Sequence, residues 1–512
     1  MVSCAIVRWF GLAVSLALLG VSPLASANGR FPRGERLLED PADSRHLVLA
    51  ATYGLLVTND SGTSWYHVCE NAFAELGGEA DPTVAFTADG TLIASLYSSL
   101  SRSNTAACDF KTTLGQGKAE VVPDFTLEAQ NKDHAIAIVA AIDNGKVTSY
   151  RLHGSDDGGR HWQPFGVALP AALELALTVD VAPSDPDRIY VTGFGAGDVG
   201  LLLRSDDRGE SFEVSEIPTA AENAEAPYIA AVDAENADAF YVRTDAWVYD
   251  AETGISLARD ALLFSDDAGA HFTELLRASG KLFGFALSPD GQQLLLGYGD
   301  PIEGQGRLTQ PEALGIYRRA TATGDIQRVF GGSISCLSWT SNAIYACTSQ
   351  AEMGFALASV DEASLVPGEY PAFHPLLDLL EVKGPLECAA CSSVAGCGEA
   401  WRATCLGWGR EDCDVAPPAA PAGDCSAAAG AGGVADAGQP SIASGGGGRA
   451  TAEGSGAHGG RGVVTGTPTS RGDQNDGCGC RSAPTRAEPV GAALLILLGS
   501  LWQRRRSRRQ FP

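Results

Sequence analysis

The chain has 512 residues, 45% of them hydrophobic, and a formal net charge of −26. That length allows two to four domains with sizeable cores. The acidic balance excludes nucleic-acid binding through a basic surface and leaves cationic or neutral partners.

Residues 1–27 carry Arg8, an apolar stretch from Trp9 to Val21 and "ASA" at 25–27. That pattern reads as a secretory signal peptide cleaved before Asn28. The cysteines of the exported chain are then read first as disulfides.

From residue 28 the chain is organised by a repeat. "TNDSGTSW" (58–65) returns as "SDDGGRHW" (155–162), "SDDRGESF" (205–212) and "SDDAGAHF" (265–272). The gap from Thr58 to Ser155 is about twice the others, and "SNTAACDF" (103–110) fills it as a worn copy. Two further worn copies lie in 315–330 and 355–366. Seven units therefore cover 28–387, at about 51 residues each. The fourth unit shows the element order: "LALTVDVAP", the turn "SDPDR", "IYVTG", "GLLLRS", the repeat, then "FEVSEI". Four short strands, seven times, predict an all-β, seven-bladed β-propeller of four-stranded antiparallel blades.

Each position of the repeat has a mechanical use. Asp60, Asp157, Asp207 and Asp267 accept backbone N–H bonds in tight turns. Gly62, Gly159, Gly209 and Gly269 supply positive φ. Trp65, Trp162, Phe212 and Phe272 start the next strand and bury a ring between sheets. Four aspartates in four separate turns cannot converge on one reacting atom, so they read as turn staples. The motif resembles the Asp box, or BNR repeat, of sialidases, sortilin-type receptors, xyloglucanases and photosystem assembly factors. The resemblance implies that the boxes lie on the rim, away from the functional face.

Sialidase chemistry is not legible. "FPRG" (31–34) lacks the family's Ile-Pro, and nothing in the sequence gathers Arg151, Arg243 and Arg307. No Gly-x-Ser-x-Gly, phosphate loop or His-Glu-x-x-His occurs, the eight histidines form no ligand-spaced set, and neither a metal nor a cofactor is expected. The boxes are third–fourth turns. The longest second–third loops, 245–260 and 300–314, should therefore project from the opposite face. They carry Asp245, Trp247, Tyr249, Asp250, Glu252, Asp300, Glu303 and Arg307, with Tyr298 beside them. Aromatics beside charges can hold a sugar, a peptide or a cation, and the alternative is a pair of solvated loops. The expected function is binding of a protein, glycan or envelope polymer. The alternative is an extracellular glycoside hydrolase or lyase, which needs two carboxylates facing one bond.

"SISCLSWTSNAIYACTS" (333–349) reads as a hairpin that opposes Cys336 to Cys347, predicting a disulfide. Cys69 and Cys108, in neighbouring outer strands, are the other predicted pair. Six cysteines at 388, 391, 397, 405, 413 and 425 form a module of three internal disulfides, with a zinc site as the alternative. Residues 426–475 are a Gly/Ala/Ser-rich tether. In the tail 476–512, Cys478 and Cys480 precede a short apolar segment, Pro489–Trp502, and five arginines. This order resembles the myxobacterial C-terminal sorting tail (MYXO-CTERM). It implies membrane contact, cleavage by an intramembrane sorting protease after export, and display on the cell surface. A permanent single-pass anchor is the alternative.

Overall fold

The computed structural model describes residues 33–414, except 74–80, 116–118, 219–224, 251–253, 302–308, 322–323 and 389–391. The signal peptide, the tether, the tail with Cys478 and Cys480, and Cys391, Cys425, Glu252, Glu303 and Arg307 lie outside the described residues.

Seven antiparallel four-stranded sheets follow one another along the chain, each in simple meander order. Blade 1 is Gly34–Glu39, Leu47–Ala51, Gly54–Thr58 and Tyr66–Val68; blade 7 is Ile334–Trp339, Ile344–Thr348, Leu357–Val360 and Phe373–Leu377. The worn repeat 103–110 does sit in a blade of its own, whose strands begin at Thr83, Leu92, Leu100 and Lys111. Innermost strands of successive blades touch, including the first with the last, except that blade 6's innermost strand meets the second strand of blade 5, Phe240–Asp245.

Burial explains the strand compositions. Second strands such as Leu47–Ala51 and Ile344–Thr348 are buried along their length, because blades cover both faces, and they read as unbroken apolar runs. Innermost strands alternate: in Leu175–Ala182, Val179 and Val181 are buried in the seams while Thr178 and Asp180 are half-buried along the channel. Outer strands such as Glu213–Glu216 are polar. Each seam has its own apolar core. Tyr190, Phe240 and Val242 fill the seam of blades 4 and 5, and Tyr241, Leu282 and Tyr298 fill that of blades 5 and 6.

The box turns share one geometry. In blade 3, the Ser155 hydroxyl donates to Asp157 Oδ1 at 3.0 Å and accepts from Gly159 N at 3.0 Å, and His161 N donates to Asp157 Oδ1 at 3.0 Å. Blades 1, 4 and 5 repeat these bonds at Asp60, Asp207 and Asp267. Two successive residues take positive φ, as at Ala268 and Gly269 (58° and 88°). A Cβ on Gly269 would stand 2.1 Å from Leu202 Cδ2 of the preceding blade, so the turn is also a close-packing point. The aromatics wedge into seams. Trp65 Nε1 donates to Leu376 O of blade 7 at 2.8 Å, Trp162 is buried in the seam of blades 2 and 3, Phe212 packs against the core of blades 3 and 4, and Phe272 meets Phe240 edge-on.

The Cys336–Cys347 disulfide is present, across a directly opposed pair. The Cys69–Cys108 pairing is wrong. Cys69 bonds Cys397, and Cys108 bonds Cys388. The reason is a crossover. After blade 7 the chain runs onto the outer edge of blade 1, where Lys383 N donates to Trp65 O, His67 N to Gly384 O and Leu386 N to His67 O. This parallel ribbon carries Cys388 and Cys397 between the two outer-strand cysteines. Within the module, Cys405 pairs with Cys413 on the helix Gly398–Gly407 and its exit. The module is therefore not closed by internal bonds alone, and its described cysteines are disulfides, not thiolate ligands of zinc.

Candidate functional site at the channel mouth

Strand register fixes which loops share a face. In blade 5, Ala226 pairs with Asp245 and Ala261 with Arg277, so these residues end the blade opposite the turn 265–272. The loops 245–260 and 300–314 both leave from this end. The first is itself a hairpin, Trp247–Asp250 paired with Ile255–Ala258.

A buried ionic clamp holds the hairpin base. Lys281, at the start of the innermost strand of blade 6, contacts Asp245 Oδ1 and Asp260 Oδ1, and its Nζ lies 4.6 Å from the Trp247 ring centroid. Asp260 is 2% exposed; its Oδ1 accepts from Ala246 N and its Oδ2 from Leu282 N, both at 2.9 Å. Burial raises its pKa, and the Lys281 ammonium opposes that shift. Asp245 and Trp247 are thus anchors of the hairpin.

The other predicted residues divide. Tyr298 is fully buried, its hydroxyl donating to Asp260 O at 3.1 Å, so it is a wall of the seam and not a ligand contact. Asp300 is buried as well, and its N–H donates to Ser333 Oγ. Asp250 closes the hairpin ladder opposite Ile255. Tyr249 alone among them is a large exposed side chain, at 58%. Arg151 donates to Gly166 O within blade 3, away from Arg243 in the seam of blades 5 and 6.

Two groups face the channel, and of their residues only Arg243 was singled out from sequence. At the mouth, the Arg33 guanidinium stacks on Phe283 at 3.8 Å and pairs with Glu35 at 2.6 Å. Arg243 lies 4.7 Å from the centroid of the Tyr228 ring and donates to Leu282 O. Burial raises Glu35 to about 7, against the pull of Arg33. Deeper in the channel, Asp124 and Asp180 project from the innermost strands of blades 3 and 4. Val179 N donates to Asp124 at 3.0 Å and Thr126 Oγ1 to Asp180 at 3.4 Å. Desolvation raises Asp124 to about 7, and desolvation with repulsion by Asp124 raises Asp180 to about 8. The signal in the sequence was a carboxylate at the alternating position of an innermost strand, "VVPDFTLEA" and "LTVDVAP". Among the described residues no cluster of three His, Cys, Asp or Glu side chains is arranged for a metal, and no helix is long and apolar enough to cross a membrane.

The fold and the channel define an all-β seven-bladed propeller with a charged, aromatic-lined mouth. No family model and no curated protein matches the chain. Among solved structures it is similar to an ancestral GH74 enzyme, at 10% identity and TM-score 0.48, over 68% of this chain and 47% of that one. It is also similar to the Kuenenia stuttgartiensis hydrazine synthase (14%, TM-score 0.45, 67% and 100%) and to the Penicillium chrysogenum alpha-L-arabinanase complexed with arabinobiose (13%, TM-score 0.32, 50% and 81%). The chain spans about half the length of the GH74 enzyme. Likeness at these values says nothing of activity.

Proposed function

We propose that the protein is an exported Asp-box propeller, displayed at the cell surface by its C-terminal tail, that binds a protein, glycan or envelope polymer at the channel mouth. One observation carries this reading. A hairpin is built onto blade 5, held at its base by the pairs of buried Lys281 with buried Asp260 and part-exposed Asp245, and presents Tyr249 to solvent on the face away from the boxes. An exposed aromatic at the same end of the propeller as Arg33 and Arg243 suits the face of a sugar ring or a peptide side chain. The test is a glycan array and a pull-down from envelope fractions with the full exported chain. Tyr249→Ala should lower binding at least tenfold and leave the melting temperature unchanged. Equal binding by this variant would place the site elsewhere. C-terminal mass spectrometry of the surface protein tests the display route: an intact Arg504–Arg509 end would refute cleavage by a sorting protease.

The second reading, a glycoside hydrolase or lyase, is favoured by Asp124 and Asp180. They are neighbouring carboxyl groups on adjacent innermost strands, and Asp180, raised to about 8, is protonated at neutral pH as a general acid must be, while Asp124, raised to about 7, is partly ionised there. Turnover of any glycan on the same panel, abolished by Asp124→Asn and by Asp180→Asn, would replace binding with catalysis as the function.

A further inference from the structure

We infer that the segment following blade 7 is a covalent latch that closes the propeller ring, and that the Cys108–Cys388 disulfide is its thiol-sensitive point.

The ring needs such a device. Each blade is built from one continuous stretch of chain, so no strand from the last blade completes the first. The seam of blades 7 and 1 would otherwise rest on side-chain contacts, apolar packing with the Trp65–Leu376 and Asn342–Glu39 hydrogen bonds. The latch adds three kinds of attachment. Its ribbon pairs with the outer strand of blade 1 through Trp65 O, His67 N and His67 O. Its helix Gly398–Gly407 buries Trp401 in the apolar core shared by blades 1 and 7, beside Trp65, Leu377 and Val382. Its two disulfides reach the outer edges of blades 1 and 2, bridging 328 and 280 residues of sequence. Arg410 Nη1 ties the end of the helical turn back to Val382 O at 2.7 Å.

The worn box of blade 2 supports the same reading. Thr105 stands where the other turns have Asp, and Ala106 and Ala107 hold positive φ of 49° and 67° without glycine. Asp109 N donates to Thr105 Oγ1, and Phe110 N donates to Ser393 Oγ of the latch. In this turn the Thr105 hydroxyl takes the place of the carboxylate staple, and the Phe110 N–H adds a bond to the latch.

Exposure orders the disulfides. Cys69 and Cys397 are 4% and 0% exposed; Cys336, Cys347, Cys405 and Cys413 are equally enclosed. Cys108 and Cys388 are only half-buried. A thiolate must reach a sulfur to exchange, so a dithiol attacks Cys108–Cys388 first. One dithiol supplies two electrons and two protons: the S–S bond opens to two thiols while the reductant closes to its own disulfide. Cys69–Cys397 then holds the latch until it is exposed.

The experiment titrates the full exported protein with a dithiol reductant without denaturant, maps free thiols by alkylation and mass spectrometry, and follows amide hydrogen exchange. Cys108 and Cys388 should be labelled before any other described cysteine. Protection at the His67 and Leu386 amides should fall at least tenfold, while Val191 and Leu203 in blade 4 keep theirs. The Cys108→Ser/Cys388→Ser variant should show the same pattern without reductant, and the wild-type titration decides the matter if that variant does not fold. Prior labelling of another pair, unchanged protection at His67 and Leu386 after reduction, or an equal loss in blade 4 would each overturn the latch.

Discussion

Replacing Asp260 by Ala tests whether the buried clamp holds the hairpin. The substitution strands two enclosed backbone donors, Ala246 N and Leu282 N, each 2.9 Å from a carboxylate oxygen, and both residues are fully buried. An unsatisfied buried donor costs about 1–3 kcal/mol, giving about 2–6 kcal/mol for the pair. Lys281 keeps Asp245 as its counter-charge. Removing a carboxylate whose burial disfavours ionisation returns part of the loss, so the expected net destabilisation is about 3 kcal/mol. Asp260→Asn retains one acceptor and should cost about half as much. Urea unfolding with an unchanged m-value measures both. Limited proteolysis should show new cleavage between Trp247 and Ala258 in the Ala variant alone. A loss below about 1 kcal/mol for Asp260→Ala, with the hairpin still protected, would refute the clamp.

Asp124 and Asp180 have pKa values raised to about 7 and about 8 in the folded protein. A raised folded pKa means that protonation favours the folded state, an advantage present at low pH and lost as pH rises through these values. His67, lowered to about 4 by burial beneath the latch, acts oppositely: its contribution is lost as pH falls from 6.5 toward 4. The melting temperature should therefore be higher at pH 6 than at pH 8.5. Asp124→Asn with Asp180→Asn should flatten that limb, and an unaltered slope in differential scanning calorimetry would contradict it. Gly269→Ala meets both a positive φ of 88° and Leu202 at 2.1 Å, and should cost about 2–4 kcal/mol. Gly197→Ala, at φ 77° with nothing within 4 Å, should cost about 1 kcal/mol, so a thermal scan showing equal losses would remove the packing role. Asp60→Ala removes solvent-screened bonds to Thr58 and Ser64 and should cost about 1 kcal/mol with ligand affinity unchanged, as read by urea titration and array binding.

Blade number, strand order and the face carrying the long loops were legible because turn chemistry and strand alternation are local. Ser or Thr, Asp and Gly at fixed offsets fold the same turn in four blades, and the spacing of those turns with the three worn copies counts seven blades. Cys336–Cys347 was legible for the same reason: a tight hairpin opposes residues a few positions apart. What the sequence did not determine depends on which distant strands meet. Tyr298 and Asp300 read as rim residues, but their strand end is roofed by the neighbouring blade and hairpin. Asp124 and Asp180 look like ordinary surface acids until ring closure turns their strand faces inward and strips their water. Cys69 and Cys108 looked like each other's partners, being neighbours along the ring. Only the crossover of 383–386 onto the outer edge of blade 1, a contact spanning more than 300 residues, brings Cys397 and Cys388 to them. Local rules set the blades; the closed ring decided which side chains face the channel and which sulfurs meet.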